Sequence, residues 1–150
     1  MKEDEGGFAM KQVYNTGVDY ALTIVGGKWK PVIIFLLAGH SWRTGELEKQ
    51  LGISSKVLSQ CLHDLTEAGL VARKSFATIP PHVEYSLTPS GEDLYASMRY
   101  LNFWGETRAK SKGDQVKIMC TDKMHQLGID GVCAMTKEHL KEWKKDLHQN

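Results

Sequence analysis

Cysteine is scarce in this chain. Cys61, Cys120 and Cys133 are an odd number at no familiar spacing, so a disulfide framework is not expected. Cys120, His125, Cys133 and His139 lack the close Cys-x-x-Cys or His-x-x-x-His pairs that pre-form zinc sites, and no metal is called for. Long apolar runs are missing too. The longest, residues 31–39, is too short to span a bilayer and reads as a buried helix, so no membrane partner is expected. The first residues, Met1, Lys2, Glu3, Asp4 and Glu5, are acidic and carry no apolar signal segment, which makes a cytoplasmic protein the expectation. There is no internal repeat, no low-complexity segment and no phosphate-cradling glycine loop. No Ser-His-Asp ordering suggests nucleophilic catalysis, and the Glu92-Asp93 pair falls in a first helical turn, where the helix dipole favours it. An enzyme is not expected, nor a cofactor.

Excess charge is also absent. Nineteen Lys and Arg stand against eighteen Asp and Glu, for a net charge of +1. Whole-chain electrostatics therefore give no sign of a nucleic-acid partner, and any basic patch must be local. Between Lys28 and Lys74 such a bias exists: seven cations (Lys28, Lys30, Arg43, Lys49, Lys56, Arg73, Lys74) face four anions (Glu46, Glu48, Asp64, Glu67).

What is present is ordinary in bulk and specific in order. A chain of 150 residues, 41% hydrophobic and 25% charged, suits one globular domain with a small appendage. The division expected is a mobile arm over residues 1–13, a folded domain over 14–110 and an extension over 111–150.

The informative stretch runs from residue 44 to residue 85, with its last strand reaching Leu87. A short helix over Thr44–Leu51 is broken by Gly52. A second helix opens at Ser54, carries Leu58, Leu62 and Leu65 on one face, and stops at Gly69. Strands over Leu70–Ser75 and Val83–Leu87 flank Ile79-Pro80-Pro81-His82. That order is a helix-turn-helix followed by a β-hairpin wing, a module that places one helix in the DNA major groove.

A step of about 100° per residue puts Leu62 and Leu65 beside Leu58 and leaves Lys56, Ser59, Gln60 and His63 on the far side, with Ser55 on the flank. That outer face reads as free of bulky apolar groups. Gln60 suits the major-groove edge of adenine, Ser59 a base or a phosphate, and Lys56 a guanine or a phosphate. Ser54 caps the helix, whose first amides are disposed to hold a phosphate. Arg43 and Thr44, at the start of the first helix, and Lys74 on the wing are backbone candidates, and His82 at the wing tip is placed to approach a minor groove. A solvated helix face would look similar on its own; the wing favours DNA.

Before this unit, Val18, Tyr20, Ala21, Leu22, Ile24 and Val25 suit a first helix ended by Gly26-Gly27. A second begins near Lys28 and is apolar nearly all round, so it should be the central one. After the wing, Thr88-Pro89 starts a helix with cap and first-turn proline. Leu94, Met98, Leu101 and Trp104 cover one face, while Tyr95, Tyr100 and Phe103 add apolar area that one core cannot absorb. A second subunit is implied. Residues 111–135 are ambiguous, with Met119, Met124 and Met135 suited to an adaptable interface. Thr136 caps a last helix with Leu140, Trp143 and Leu147 as its stripe.

The segments Ile24-Val25-Gly26-Gly27-Lys28-Trp29, Arg43-Thr44-Gly45-Glu46-Leu47, Gly52-Ile53-Ser54, Gly69-Leu70-Val71, Arg73 and Pro80-Pro81 through Val83-Glu84-Tyr85-Ser86-Leu87-Thr88 resemble the HxlR-type family of bacterial winged-helix regulators, relatives of the MarR group. The resemblance covers roughly residues 16 to 105. It implies a homodimer joined by the first and post-wing helices, with Tyr20, Leu94, Met98, Leu101 and Trp104 at the interface. It also implies binding of double-stranded DNA at a pseudo-palindromic operator, as a repressor or an activator. Family members commonly carry a Cys-Pro pair before the first helix, and in several the thiol senses oxidants. Thr16 and Gly17 stand there in this chain. His82 replaces the usual wing arginine, and the domain usually ends soon after the post-wing helix.

The expected fold is thus α+β and mainly α: a winged helix-turn-helix with a two-stranded wing, helical dimerisation elements and a C-terminal helical extension. The expected function is a DNA-binding transcriptional regulator, more a repressor than an activator. A winged helix used for protein docking is the alternative. So is a thiol-based redox regulator acting through Cys61, Cys120 or Cys133, with Cys61 shortest in path to the DNA surface. Control by a small-molecule effector, or through the extension, is preferred over the thiol route.

Overall fold

The computed structural model describes residues 12–116. Within these residues, five helices and a small sheet follow the order α1 (Gly17–Val25), α2 (Trp29–Leu37), β1 (Trp42–Arg43), α3 (Thr44–Leu51), α4 (Ser55–Glu67), β2 (Val71–Phe76), β3 (His82–Leu87) and α5 (Pro89–Ser111). The expected methionine-rich segment, the last helix, Cys120 and Cys133 lie outside the described residues, as does most of the acidic arm. Among the described residues no single helix is long and apolar enough to cross a membrane.

Local chemistry sets the boundaries. Thr16 accepts from the Asp19 amide to open α1. The Glu46 carboxylate accepts from the Arg43 amide at 2.9 Å and fixes the start of α3. Gly52, at φ 65°, supplies the left-handed residue that ends it. Ser54 Oγ accepts from the Val57 amide and caps α4.

Thr88 does more than cap α5. Its hydroxyl accepts from the Gly91 amide at 3.1 Å and donates to the Gly69 carbonyl at 2.6 Å, while its amide donates to the Leu70 carbonyl. One residue therefore joins the end of α4, the root of β2 and the start of α5. Gly91 completes the joint, because a Cβ there would collide with the Leu70 carbonyl oxygen.

The sheet has three strands, not two. Trp42–Arg43 pairs antiparallel with Tyr85 and Glu84, giving the order β1-β3-β2. A two-residue strand carries no alternation, so no sequence pattern announces it. The wing strands run Val71 opposite Leu87 to Phe76 opposite His82, so β2 starts one residue later and β3 one residue earlier than expected. His82 is thereby the first residue of β3, and the connecting tip is Ala77 to Pro81.

Ile33, Ile34 and Leu37 of α2 pack with Leu47 of α3 and with Leu58, Leu62 and Leu65 of α4, all essentially inaccessible to water. That continuous core fixes the angle between the two helices of the turn. Tyr95 joins it, with its ring 5.5 Å from that of Phe35. It is core, not the surplus that the apolar count of α5 suggested.

Candidate nucleic-acid interface

With Leu58, Leu62 and Leu65 locked inward, α4 turns Ser55, Lys56, Ser59, Gln60 and His63 to solvent. Ser54 sits at the same helix's N-terminus, Arg43 is exposed at the start of α3, and Thr44 is half-buried. Val57 is 40% exposed in the first turn, so the face is not free of apolar groups. Its position a step of about 100° from Leu58 placed it on the boundary, where the wheel alone does not decide.

Gln60 is not a free rotor. Its Nε2 donates to Asp64 Oδ1 at 2.8 Å, and Asp64 Oδ2 lies 3.1 Å from Lys30 Nζ on α2. The hydrogen bond from Gln60, then that from Lys30, hold the Asp64 carboxyl below the usual carboxylate range, so it is ionised at neutral pH. One Gln60 amide proton and the carbonyl oxygen remain for the donor and acceptor that adenine requires. Sequence reasoning missed Asp64, although its i, i+4 spacing from Gln60 was visible.

The wing divides by strand alternation. Lys74 and Phe76 of β2 face Glu84 and His82 of β3 in register, and the Lys74 ammonium lies 5.0 Å from the Phe76 ring. His82 is held rather than presented. Its ring stacks on Phe76 at 4.6 Å, Nδ1 lies 3.0 Å from the Thr78 hydroxyl, and Nε2 is 3.4 Å from Glu84 Oε1. The placement in the loop is therefore corrected: His82 closes the strand ladder beside the tip, and residues 77–81 contain no cation. Lys74, exposed, is the wing's available charge; Arg73 donates to Ser75 Oγ instead.

Cys61 is half-buried at the edge of α4's inner face. Burial pushes its thiol up, Lys30 opposes and Asp64 reinforces the shift. Lys30 is a cationic neighbour, but it is engaged by Asp64 and does not reverse the effect of burial. Among the described residues no three His, Cys, Asp or Glu side chains gather as metal ligands would.

The five interface candidates separate. Leu94 and Met98 pack against the protein's own core, whereas Tyr20, Leu101 and Trp104 are exposed at 51%, 65% and 56%. Val18 and Leu22 of α1 and Tyr100 of α5 extend that exposed set.

This arrangement has known counterparts. The HxlR-like helix-turn-helix family matches over residues 24–113. The chain belongs to that family. An uncharacterised HTH-type transcriptional regulator of Halalkalibacterium halodurans is 44% identical over 98 residues, which cover 64% of this chain and 87% of that protein. Among solved structures, a transcriptional regulator described as of the MarR family from Enterococcus faecalis V583 is 41% identical, with a TM-score of 0.59 over 71% of this chain and 97% of its own. The redox regulator HypR in its oxidised form is 31% identical with the same TM-score, over 61% of this chain and 96% of that one. The protein is accordingly a DNA-binding winged helix-turn-helix transcription regulator of the HxlR type.

Proposed function

We propose that the protein acts as a homodimeric repressor, each protomer laying α4 in the major groove of one half of a pseudo-palindromic operator. The observation that carries this reading is the outer face of α4. Ser55, Lys56, Val57, Ser59, Gln60 and His63 form a continuous exposed surface of donors, acceptors and one methyl-bearing group, on a helix whose other face is fixed in the core. Arg43, Ser54 and Lys74 flank it as phosphate contacts that set register. The exposed apolar residues of α1 and α5 supply the surface for a second copy. Repression follows because occupying an operator blocks transcription without a further contact.

Control in this reading does not run through a thiol. HypR is described as a redox regulator, but Thr16 and Gly17 carry no sulfur, and the raised Cys61 thiol is a slow nucleophile. A small-molecule effector or the segment beyond α5 is the proposed input.

Selection of bound fragments from genomic DNA, with and without peroxide, tests these points together. The expected result is a two-fold-related sequence whose affinity falls steeply with ionic strength and whose recovery peroxide leaves unchanged. Failure to enrich any duplex would favour a protein-docking role. Release by peroxide that disappears in Cys61→Ser would establish the thiol route.

A further inference from the structure

The helix α2 is apolar nearly all round: one side is buried in the core, and Trp29, Val32 and Phe35 on the other pack against it only in part. Ile33, Ile34, Leu36 and Leu37 point inward and are buried. On the other side, Trp29, Val32 and Phe35 form one wall of an open cleft of about 720 Å³, closed by Leu51 at the end of α3 and by Met98 and Leu101 of α5. A cleft so apolar, on a helix face where a solvated surface would be polar, calls for an occupant.

Two observations identify it. The last described residue, Val116, itself lines the cleft, so the chain that follows departs from its edge. That following chain, residues 117–150, includes Leu140, Trp143 and Leu147 at helical spacings of three and four, an apolar stripe beyond the family domain. The family match stops at residue 113, and the Enterococcus regulator accounts for 97% of its own chain but 71% of this one. Cleft and stripe thus belong to one chain, with residues 117–139 as the connection, and tethering gives the stripe an effective concentration near the millimolar range at its own cleft.

We propose that the C-terminal segment of this chain, through Leu140, Trp143 and Leu147, docks in the cleft between α2, the end of α3 and α5 of the same protomer. A second copy is left the surface of Tyr20, Tyr100 and Trp104, and Leu101, although exposed, borders the cleft instead. Tyr100 and Trp104 lie roughly 200–240° around α5 from Met98 at about 100° per residue, away from the cleft. Because Leu51 ends the first helix of the helix-turn-helix, a filled cleft touches α3 as well as α2 and α5. This deepens the regulatory part of the proposed function, yet it is tested without DNA, so the two stand or fall separately.

The test uses the full chain carrying Trp143→p-benzoylphenylalanine, prepared in isotopically light and heavy forms, mixed, irradiated and mapped by mass spectrometry. Cross-links are expected on residues 29–35 or 98–105, joining light to light and heavy to heavy. In parallel, Trp143→Asp should speed amide exchange in α2 and in residues 98–105 by roughly tenfold, the effect of withdrawing one large apolar side chain, while Lys141→Asp, off the stripe, should not. Light-to-heavy cross-links at the cleft would assign it to a second copy and overturn the proposal. Cross-links elsewhere, or unchanged exchange in Trp143→Asp, would also overturn it.

Discussion

Lys30 Nζ lies 3.1 Å from Asp64 Oδ2, and this ion pair ties the buried helix α2 to the outer half of α4. Asp64 spends its other oxygen on Gln60, so a residue facing away from the core is positioned by a partly exposed ion pair with the neighbouring helix. Exposed ion pairs contribute little to stability by themselves. The consequence here is geometric: the amide of Gln60 is oriented before any base is met, which reduces the entropy lost on contact.

Gln60→Ala should lower the preference for one base pair by about 1–3 kcal/mol. Asp64→Ala should lower the preference at that same position, by less. The double variant should be no worse than Gln60→Ala, because the second change removes a support for something already gone. Competition among duplexes with single base-pair replacements reads all three. The support weakens as pH falls through the lowered Asp64 value, and is intact above the ordinary carboxylate range. Additive losses at two different positions would show that Asp64 acts independently of Gln60.

Val57 gives the α4 surface its one apolar contact, at 40% exposure in the first turn. A branched methyl pair there suits a thymine methyl in the major groove. Replacing thymine by deoxyuracil, one position at a time, should reveal a single site where wild type loses affinity several-fold and Val57→Ala does not. Equal sensitivity of the two proteins at every position would exclude the contact.

Lys74 and Arg43 should behave differently from the base-reading residues. Either change to Ala should weaken all duplexes by a similar factor and flatten the dependence of log affinity on log salt by about 0.9 per lost phosphate contact. His82→Ala should leave that slope unchanged, because its ring is committed to Phe76, Thr78 and Glu84. A slope change in His82→Ala would return the histidine to the DNA surface.

Much of this was legible because it rests on short-range rules. Ser54, Gly52 and Thr88 announce helix ends through caps and a left-handed glycine, and each lies where those rules place it. The leucine spacing of α4 gave its inner face for the same reason. What escaped depends on contacts distant in sequence. The strand Trp42–Arg43 exists only by pairing with Tyr85 and Glu84, and Asp64 matters only because Lys30 reaches it from another helix. Tyr95 likewise counts as surplus until Phe35 is beside it. His82 passes from the loop into β3 because the strand begins one residue earlier, through its pairing with Phe76.

Dimerisation should depend on the exposed apolar residues of α1 and α5 and not on those turned inward. Tyr20→Glu with Trp104→Glu should give a folded monomer, because neither side chain belongs to the core. Sedimentation should report halved mass, with the thermal transition still cooperative. Operator affinity should collapse along with the second half-site. A wild-type protein that sediments as a monomer at micromolar concentration would remove the second copy from the account.

Tyr95 offers a test of the core through pH. It is 5% exposed, and burial pushes its hydroxyl from 10.0 to about 12, with Arg99 opposing and Glu92 adding to the shift. Between those values the unfolded chain has released the proton and the folded one has kept it. The folded state therefore binds more protons, and stability must fall as pH rises through that window. The slope from this one group is about 1.4 kcal/mol per pH unit, levelling off once the folded form also ionises. Tyr95→Phe removes the ionisation while preserving the ring against Phe35, so its unfolding free energy should decline less steeply above pH 10 than that of wild type. Urea titrations of both proteins across the window measure the difference directly, since other tyrosines and lysines titrate alike in the two. Parallel curves would mean that the Tyr95 hydroxyl is hydrated in the folded protein, and that the contact between α5 and α2 is looser than its burial indicates.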